Sequence, residues 1–281
     1  MSLEIFLAVI AAGAMHASWN ALLKIRLDPF LAMVLINACA GIIALPALYW
    51  FGWPAPSSYP WLAASAALHT AYNLLLAQAY RLADMSLVYP VARGSAPLLT
   101  AIFSVALLGE PLSAVGAAGI AILGIGIFTM SMRKASESAH LDRAALMVAG
   151  LTAVMICGYS ITDGSGARAS GNVFAYMAAM FILDGGIITL LALILRGPKG
   201  LKPMLGFAGP GIAGGTLAFS AYSIAVWAMT KAPIPLVAAV RETSVLFGAV
   251  IAVVFLKEPL RLNRIIAAVL IVTGLVLIRL Q

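Results

Sequence analysis

The stretch Arg93–Leu112 reads RGSAPLLTAIFSVALLGEPL, and Arg241–Leu260 reads RETSVLFGAVIAVVFLKEPL. Each opens on an arginine inside apolar sequence. Each closes on Glu-Pro-Leu, at Glu110-Pro111-Leu112 and Glu258-Pro259-Leu260, with the glutamate 17 positions after the arginine. A glycine follows 16 positions beyond each glutamate, at Gly126 and Gly274. The register holds without a gap, so the two stretches are copies and the chain is a tandem duplication.

Ten apolar runs surround these anchors, at about 3–23, 30–51, 61–80, 85–108, 112–132, 144–163, 172–195, 206–229, 234–256 and 262–279. The longest polar stretch, Arg133–Arg143 (RKASESAHLDR), separates five runs from five. The arginine falls in the fourth run of each half and Glu-Pro-Leu opens the fifth. Runs of 18 or more residues are too long for membrane strands, which take ~9–11. Helices satisfy their own backbone hydrogen bonds in lipid. The expected fold is therefore an all-α membrane protein of ten transmembrane helices. Its two five-helix repeats occupy 1–134 and 144–281, joined by the polar connection 135–143. Five is odd, so the second copy enters the membrane inverted. Inverted repeats that rock about a midplane site are a transporter signature; the plainer alternative is that duplication only enlarges a bundle. Breakers mark the short turns: Gly52-Trp53-Pro54, Gly109-Glu110-Pro111, Gly197-Pro198 and Lys257-Glu258-Pro259.

Composition agrees. Of 281 residues, 63% are hydrophobic and 10% charged, with a mean hydropathy of +1.05. Soluble domains run nearer ~25% charged and ~45–50% apolar. That excludes an ordinary cytosolic enzyme, a disordered chain, a nucleic-acid-binding module and a disulfide scaffold. The net charge of +7 is spread thinly between apolar runs, where it sets topology. The odd-numbered connections hold Lys24, Arg26, Arg81, Arg133, Lys134, Arg143, Arg196, Lys199, Lys202, Lys257 and Arg261; the even ones and the ends hold Arg168, Lys231 and Arg279. The positive-inside rule puts both termini outside, on the periplasmic face of a bacterial-type inner membrane. The N-terminus lacks a basic n-region, so its apolar stretch reads as a retained helix. Cys39 and Cys157 lie within apolar runs and are not expected to form a disulfide.

Charges inside lipid face a cavity or a partner. Arg93 lies eight positions into its run, roughly 12 Å along a helix at ~1.5 Å per residue, and Arg241 is its repeat equivalent. Two planar guanidiniums near the midplane suit an anionic substrate group; equally, they can close structural ion pairs. Glu242 has Gly94 as its repeat partner, so it stands alone. It is a candidate coupling carboxylate, and the simpler role is to neutralise Arg241 or Arg93. Asp184, beside Gly185-Gly186, is the other buried acid, while Asp163 reads as an interfacial cap. His16 and His69 can relay protons or make one interhelical hydrogen bond.

The candidate lining comprises Trp19 and Asn20, one turn from His16; Tyr72 and Asn73, with a counterpart in Tyr222 and Ser223; Tyr89, on the Arg93 face; and Tyr159. Bundle packing or an interfacial belt is the plain alternative for each aromatic; Trp50, Trp53 and Trp61 read as belt residues. Gly211 and Gly215 form a GxxxG pair, and Gly116, Gly119, Gly124 and Gly126 stripe the fifth run, consistent with close helix packing. Pro90, Pro97, Pro233 and Pro235 are candidate bends. Glu110 and Glu258 are read as helix-start caps. No HExxH, GxSxG or Walker loop occurs, and Ser131 with Lys134 straddles a helix end. No cofactor or metal site is indicated. The expected partners are a small-molecule solute and the lipid bilayer, with no nucleic acid, for a monomer or homodimer. Without a nucleotide-binding loop, uphill transport runs on an ion gradient.

The five-plus-five duplication, the Trp19-Asn20 and Lys24 cluster, and the Glu-Pro-Leu junctions at 108–112 and 256–260 together resemble the drug/metabolite transporter superfamily, in particular its EamA-type ten-helix members. The resemblance covers essentially the whole chain. It implies a secondary carrier, often an exporter of amino acids or other small metabolites. Its cavity would be lined largely by the first four helices of each repeat. Members commonly run with the N-terminus inside, whereas the charge count places it outside. An uncoupled facilitator and a membrane-embedded enzyme of lipid metabolism are the alternatives to a coupled carrier.

Overall fold

The computed structural model describes residues 1–22, 27–82, 85–138, 143–254, 257 and 262–281, with side chains at all of these except 77, 79–82, 85–90 and 131–138. Among the described residues every regular element is helical. They are α1 (Leu3–Leu22), α2 (Pro29–Phe51), α3 (Tyr59–Leu82), α4 (Met85–Leu108), α5 (Ala114–Ser138), α6 (Arg143–Ala169), α7 (Val173–Leu201), α8 (Ala208–Met229), α9 (Ile234–Arg241), α10 (Ser244–Val254) and α11 (Leu262–Leu280), with 3₁₀ turns at Pro56–Ser58 and Lys202–Phe207. Among the described residues seven stretches are long and apolar enough to cross a membrane, one of them (Val173–Met229) holding both α7 and α8. Ala114–Met130 is a shorter apolar helix.

Local signals set the boundaries. Asp28 caps α2 by accepting from the Leu31 amide at 3.2 Å, with Pro29 in the first turn, where its missing N–H costs nothing. Asn172 caps α7 in the same way, accepting from Phe174 and Ala175. Gly197 breaks α7 with φ of 65°, a conformation glycine adopts without strain. Three stretches depart from the apolar pattern. α5 continues to Ser138, since no Gly or Pro interrupts it, so Ser131 and Lys134 both lie inside a helix. α6 continues to Ala169, past the end of the sixth run at 163. The ninth run is divided at Glu242–Thr243, where the Glu242 amide bonds to the Ala239 and Val240 carbonyls. The prolines do not cause this interruption: Pro233 and Pro235 sit at the start of α9, and α4 runs unbroken through Pro90 and Pro97.

The duplication is visible in the packing. Equivalent residues are 148 positions apart. α2 packs on its equivalent α7, and α5 on its equivalent α11; α1 packs on α8, α9 and α10 as α6 packs on α3 and α4. A Cβ on Gly119 would sit 2.9 Å from the Gly274 carbonyl oxygen, and one on Gly126 3.0 Å from that of Ala267. Adding the repeat offset turns one contact into the other. Residue numbers rise on α5 as they fall on α11, so the two helices run antiparallel. On α2 and α7 the repeat equivalents Asn37 and Gly185 meet each other directly, a Cβ on Gly185 falling 2.6 Å from the Asn37 carbonyl oxygen. The GxxxG pair serves the same end, Gly211 admitting Leu35 and Gly215 the backbone of Ala40.

One end of the bundle is tied by polar contacts. Ser57 Oγ donates to the Ala169 carbonyl at 2.8 Å, the Ala55 amide to Ser170 at 3.1 Å, and Ser113 Oγ to the Gln281 side chain at 2.9 Å. Here Glu110 does not cap α5: that helix starts at Ala114, with Ser113 Oγ accepting from the Gly116 amide at 3.1 Å. Glu110 instead is buried and pairs with Arg168, whose guanidinium also donates to the Met229 carbonyl from Nε at 3.0 Å and Nη2 at 2.7 Å. Glu258 lies outside the described residues. At the far end, Arg196 lies 3.8 Å from Asp28 and over the Phe30 ring.

Candidate functional site

The helices enclose a central cavity of about 80 Å³. Its wall takes His16 and Trp19 from α1, Asn37 from α2, His69, Tyr72 and Asn73 from α3, Tyr159 from α6, Phe181 and Asp184 from α7, Tyr222 from α8 and Arg241 from α9, with Met33, Ile36, Leu76, Met180 and Ala218 between them. Nine of the candidates named from the sequence thus meet on one surface. Trp19 Nε1 donates to His16 Nδ1 at 3.3 Å. Asn20 donates to the His16 carbonyl at 2.8 Å, so its amide turns back along α1 and is not part of the wall. The Tyr89 side chain lies outside the described residues. A roomier groove of about 700 Å³ between α3 and α7 is lined by Leu, Ile and Ala with Trp53, Tyr59 and Thr70 and carries no charged group, so the chemistry belongs to the smaller cavity.

The two arginines differ in their partners. Arg93 is 2% exposed; its Nε lies 2.9 Å from Glu242 Oε2 and its Nη2 donates to Ser244 Oγ at 3.1 Å. Neither Arg93 nor Glu242 reaches the cavity wall. Arg241 is equally buried and does reach it. Its guanidinium sits 5.4 Å from the Tyr222 ring centre and 5.8 Å from that of Tyr159, and Nε has no hydrogen-bond partner. Among the described residues no carboxylate forms an ion pair with it. The repeat explains this: the acid beside Arg241 turns to Arg93, and the position beside Arg93 is Gly94. Asp184 also faces the cavity, buried, with Oδ1 unpartnered. Buried charges are ordinarily paired, so one cationic and one acidic group are left facing the same space.

Asp163 is not an interfacial cap. It is fully buried because α6 runs on for six residues beyond it, ~9 Å of helix. Its Oδ1 accepts from the Tyr176 hydroxyl at 3.0 Å, while Oδ2 accepts from the Tyr222 hydroxyl at 2.6 Å and lies 3.0 Å from His69 Nε2. His69 stacks on Tyr159 with ring centres 4.3 Å apart, and Tyr72 meets Tyr159 edge-on at 5.6 Å. Asp163, Tyr176, Asn37 and Phe181 were not signalled as site residues by the sequence. The acid inside an apolar context was the available sign for Asp163; the Gly-Ser-Gly that follows it disguised the rest of the helix as a turn.

The comparisons with known proteins bear on the whole chain. The model of the EamA-like transporter family matches residues 3–132 and again 144–280. A solved structure described only as "Crystal structure of protein" superposes with a TM-score of 0.80 at 22% identity, covering 99% of this chain and 98% of its own; it shares the fold. No curated protein matches. With both halves matched separately, each over a full copy of the repeat that its arginine and Glu-Pro-Leu anchors define, the chain belongs to the EamA-like transporter family.

Proposed function

We propose that this protein is a secondary active exporter of a small organic metabolite bearing a carboxylate, an amino acid or an organic anion, working by alternating access and driven by protons. The observation that carries this is Arg241: a buried guanidinium on the wall of a central cavity that, among the described residues, no carboxylate pairs with directly. Such a charge is expensive to hold unpaired, and a substrate carboxylate supplies the missing partner bidentately. Asp184 on the same wall suits the ammonium of a zwitterion. The aromatic side chains of Tyr72, Tyr159, Tyr222 and Trp19 fit the apolar remainder of such a solute.

In this reading the bundle crosses the bilayer ten times, α9 and α10 together making one broken crossing. The repeats 1–134 and 144–281 are inverted across the membrane, as the antiparallel α5 and α11 suggest. Both termini lie on the periplasmic side, and the protein works as a monomer or homodimer whose only other partners are the solute and the lipid. Counterflow in proteoliposomes against a panel of radiolabelled amino acids and dicarboxylates tests it. Exchange is expected with at least one compound and is lost in Arg241→Gln. If no compound exchanges, or if Arg241→Gln exchanges normally, the anion-carrier assignment fails.

A further inference from the structure

We propose that a recess between the end of α6, the start of α7 and the turn after α8 is a second anion site, an outer station for a monovalent oxyanion such as the carboxylate of the carried solute. Its biological meaning rests on the transport function above; its chemistry does not. The recess holds about 500 Å³, and Arg168, Asn172, Phe174, Trp227, Thr230 and Lys231 stand on its wall. The even connections and the chain ends carry only three basic residues, Arg168, Lys231 and Arg279. Basic residues are sparse on an outer face because carrying them across the membrane is disfavoured. Two of the three nevertheless open onto this one recess.

Arg168 has a structural task, pairing with Glu110 and donating to the Met229 carbonyl. Lys231 has none: it is exposed, and among the described residues no carboxylate pairs with it. Glu110 balances Arg168, so the recess keeps one net positive charge, which one oxyanion neutralises. The first amides of α7 do not serve that anion, since Asn172 already accepts from Phe174 and Ala175. Its partners are the Lys231 ammonium and the Arg168 side chain, which stays 36% exposed. The Trp227 and Phe174 rings beside these charges suit a carboxylate on a small apolar body better than a polyanion. The recess shares no lining residue with the central cavity. Buried Met229 and Ile234 stand at the closed end, where Arg168 holds the Met229 carbonyl. A solute leaving past Arg168 thus exchanges one cation, Arg241, for another, Lys231. A lipid phosphodiester shares the monovalent oxyanion chemistry, and the experiment separates the two sources.

Thr230, half-buried on the recess wall, is the reporter. Cys39→Ala/Cys157→Ala/Thr230→Cys protein in phosphatidylcholine nanodiscs is labelled with an anionic and with a cationic methanethiosulfonate reagent. The ratio of anionic to cationic rate should exceed that of the unfolded protein. It should fall about tenfold in Lys231→Gln, the effect of one unit charge a few ångströms away acting oppositely on the two reagents, and stay high in Lys231→Arg. Phenylacetate at constant ionic strength should slow labelling saturably, phenylacetamide should not, and Lys231→Gln should abolish the protection. Phe174→Cys in place of Thr230→Cys repeats the measurement from the α7 wall. Slowing in phosphatidylglycerol nanodiscs that phenylacetate does not deepen assigns the same site to lipid phosphate. A rate ratio indifferent to Lys231→Gln, or labelling that neither phenylacetate nor phosphatidylglycerol slows, overturns the proposal. The labelling needs no transport, and Arg241→Gln should keep the protection. Silent counterflow with intact protection therefore counts against the anion carrier alone, and active counterflow without protection against the recess alone.

Discussion

Glu242 lies 2.9 Å from Arg93, its partner from the other half of the duplication, while the residue beside Arg93 at the equivalent position is Gly94. One acid thus serves one of two related arginines. Removing half of a buried pair leaves a bare charge, which costs about 3–5 kcal/mol. Glu242→Gln should accordingly lower the melting temperature in detergent sharply. Arg93→Met/Glu242→Met together should recover most of the loss, since well-packed apolar replacements of a buried pair are often neutral. Glu242→Gln melting like the parent would contradict the pairing.

Arg241 should behave in the opposite way. Among the described residues no carboxylate pairs with it directly, so Arg241→Met strands no ion-pair partner and should leave stability unchanged or raised. The same variant should lose solute exchange. Thermal melting of Arg93→Met beside Arg241→Met separates the two: a large drop in both would mean that Arg241 carries structure as Arg93 does.

The α5–α11 seam predicts where a single methyl is felt. A Cβ on Gly274 would lie 2.6 Å from the Gly119 carbonyl oxygen, and backbone cannot swing aside. Gly274→Ala should cost about 1–3 kcal/mol by overpacking. Gly150 on the exposed face of α6 has nothing within 4 Å, so Gly150→Ala should be neutral or gain about 0.5–1 kcal/mol from helix propensity. Melting curves of the two variants decide, and equal stability would mean that the helices part easily there.

At the tied end, Arg168→Ala strands the buried Glu110 carboxylate and the Met229 carbonyl, groups whose loss of a partner costs about 1–3 kcal/mol. Arg196→Ala loosens only a half-exposed contact of 3.8 Å to Asp28, worth at most ~1 kcal/mol. Urea or thermal denaturation should rank them in that order, with the reverse order unseating Arg168 as the fastening of this end.

The duplication and the helical class were legible because they depend on spacing and apolarity, which sequence carries openly. The cavity wall was legible in part: His16, Trp19, Tyr72, Tyr159 and Arg241 share helix faces that had to point inward. Which arginine is paired was not, because Glu242 is adjacent in sequence to Arg241 and reaches Arg93 only through the fold. Asp163 was misplaced for a related reason. Gly164 and Gly166 behind it look like a turn, but they are small so that Ile234 and Tyr176 can lie against α6. Glycine as close packing and glycine as chain break are the same letter until the neighbours are known. The Glu242–Thr243 interruption carries no breaker residue at all; Thr243 there abuts Gly13 of α1.

The antiparallel meeting of Gly119 with Gly274 and of Gly126 with Ala267 has a bearing on ancestry. A contact that maps onto itself when the halves are exchanged is one that a half-length chain makes with a second copy of itself lying upside down. In such a dimer every substitution arrives twice, once on each side of the seam. Fusion into one chain ended that constraint and let the halves drift independently. Ala267 opposite Gly126, where its twin position keeps Gly119, is one trace of that freedom; Glu242 equivalent to Gly94 is another, and it pairs with only one of the two related arginines.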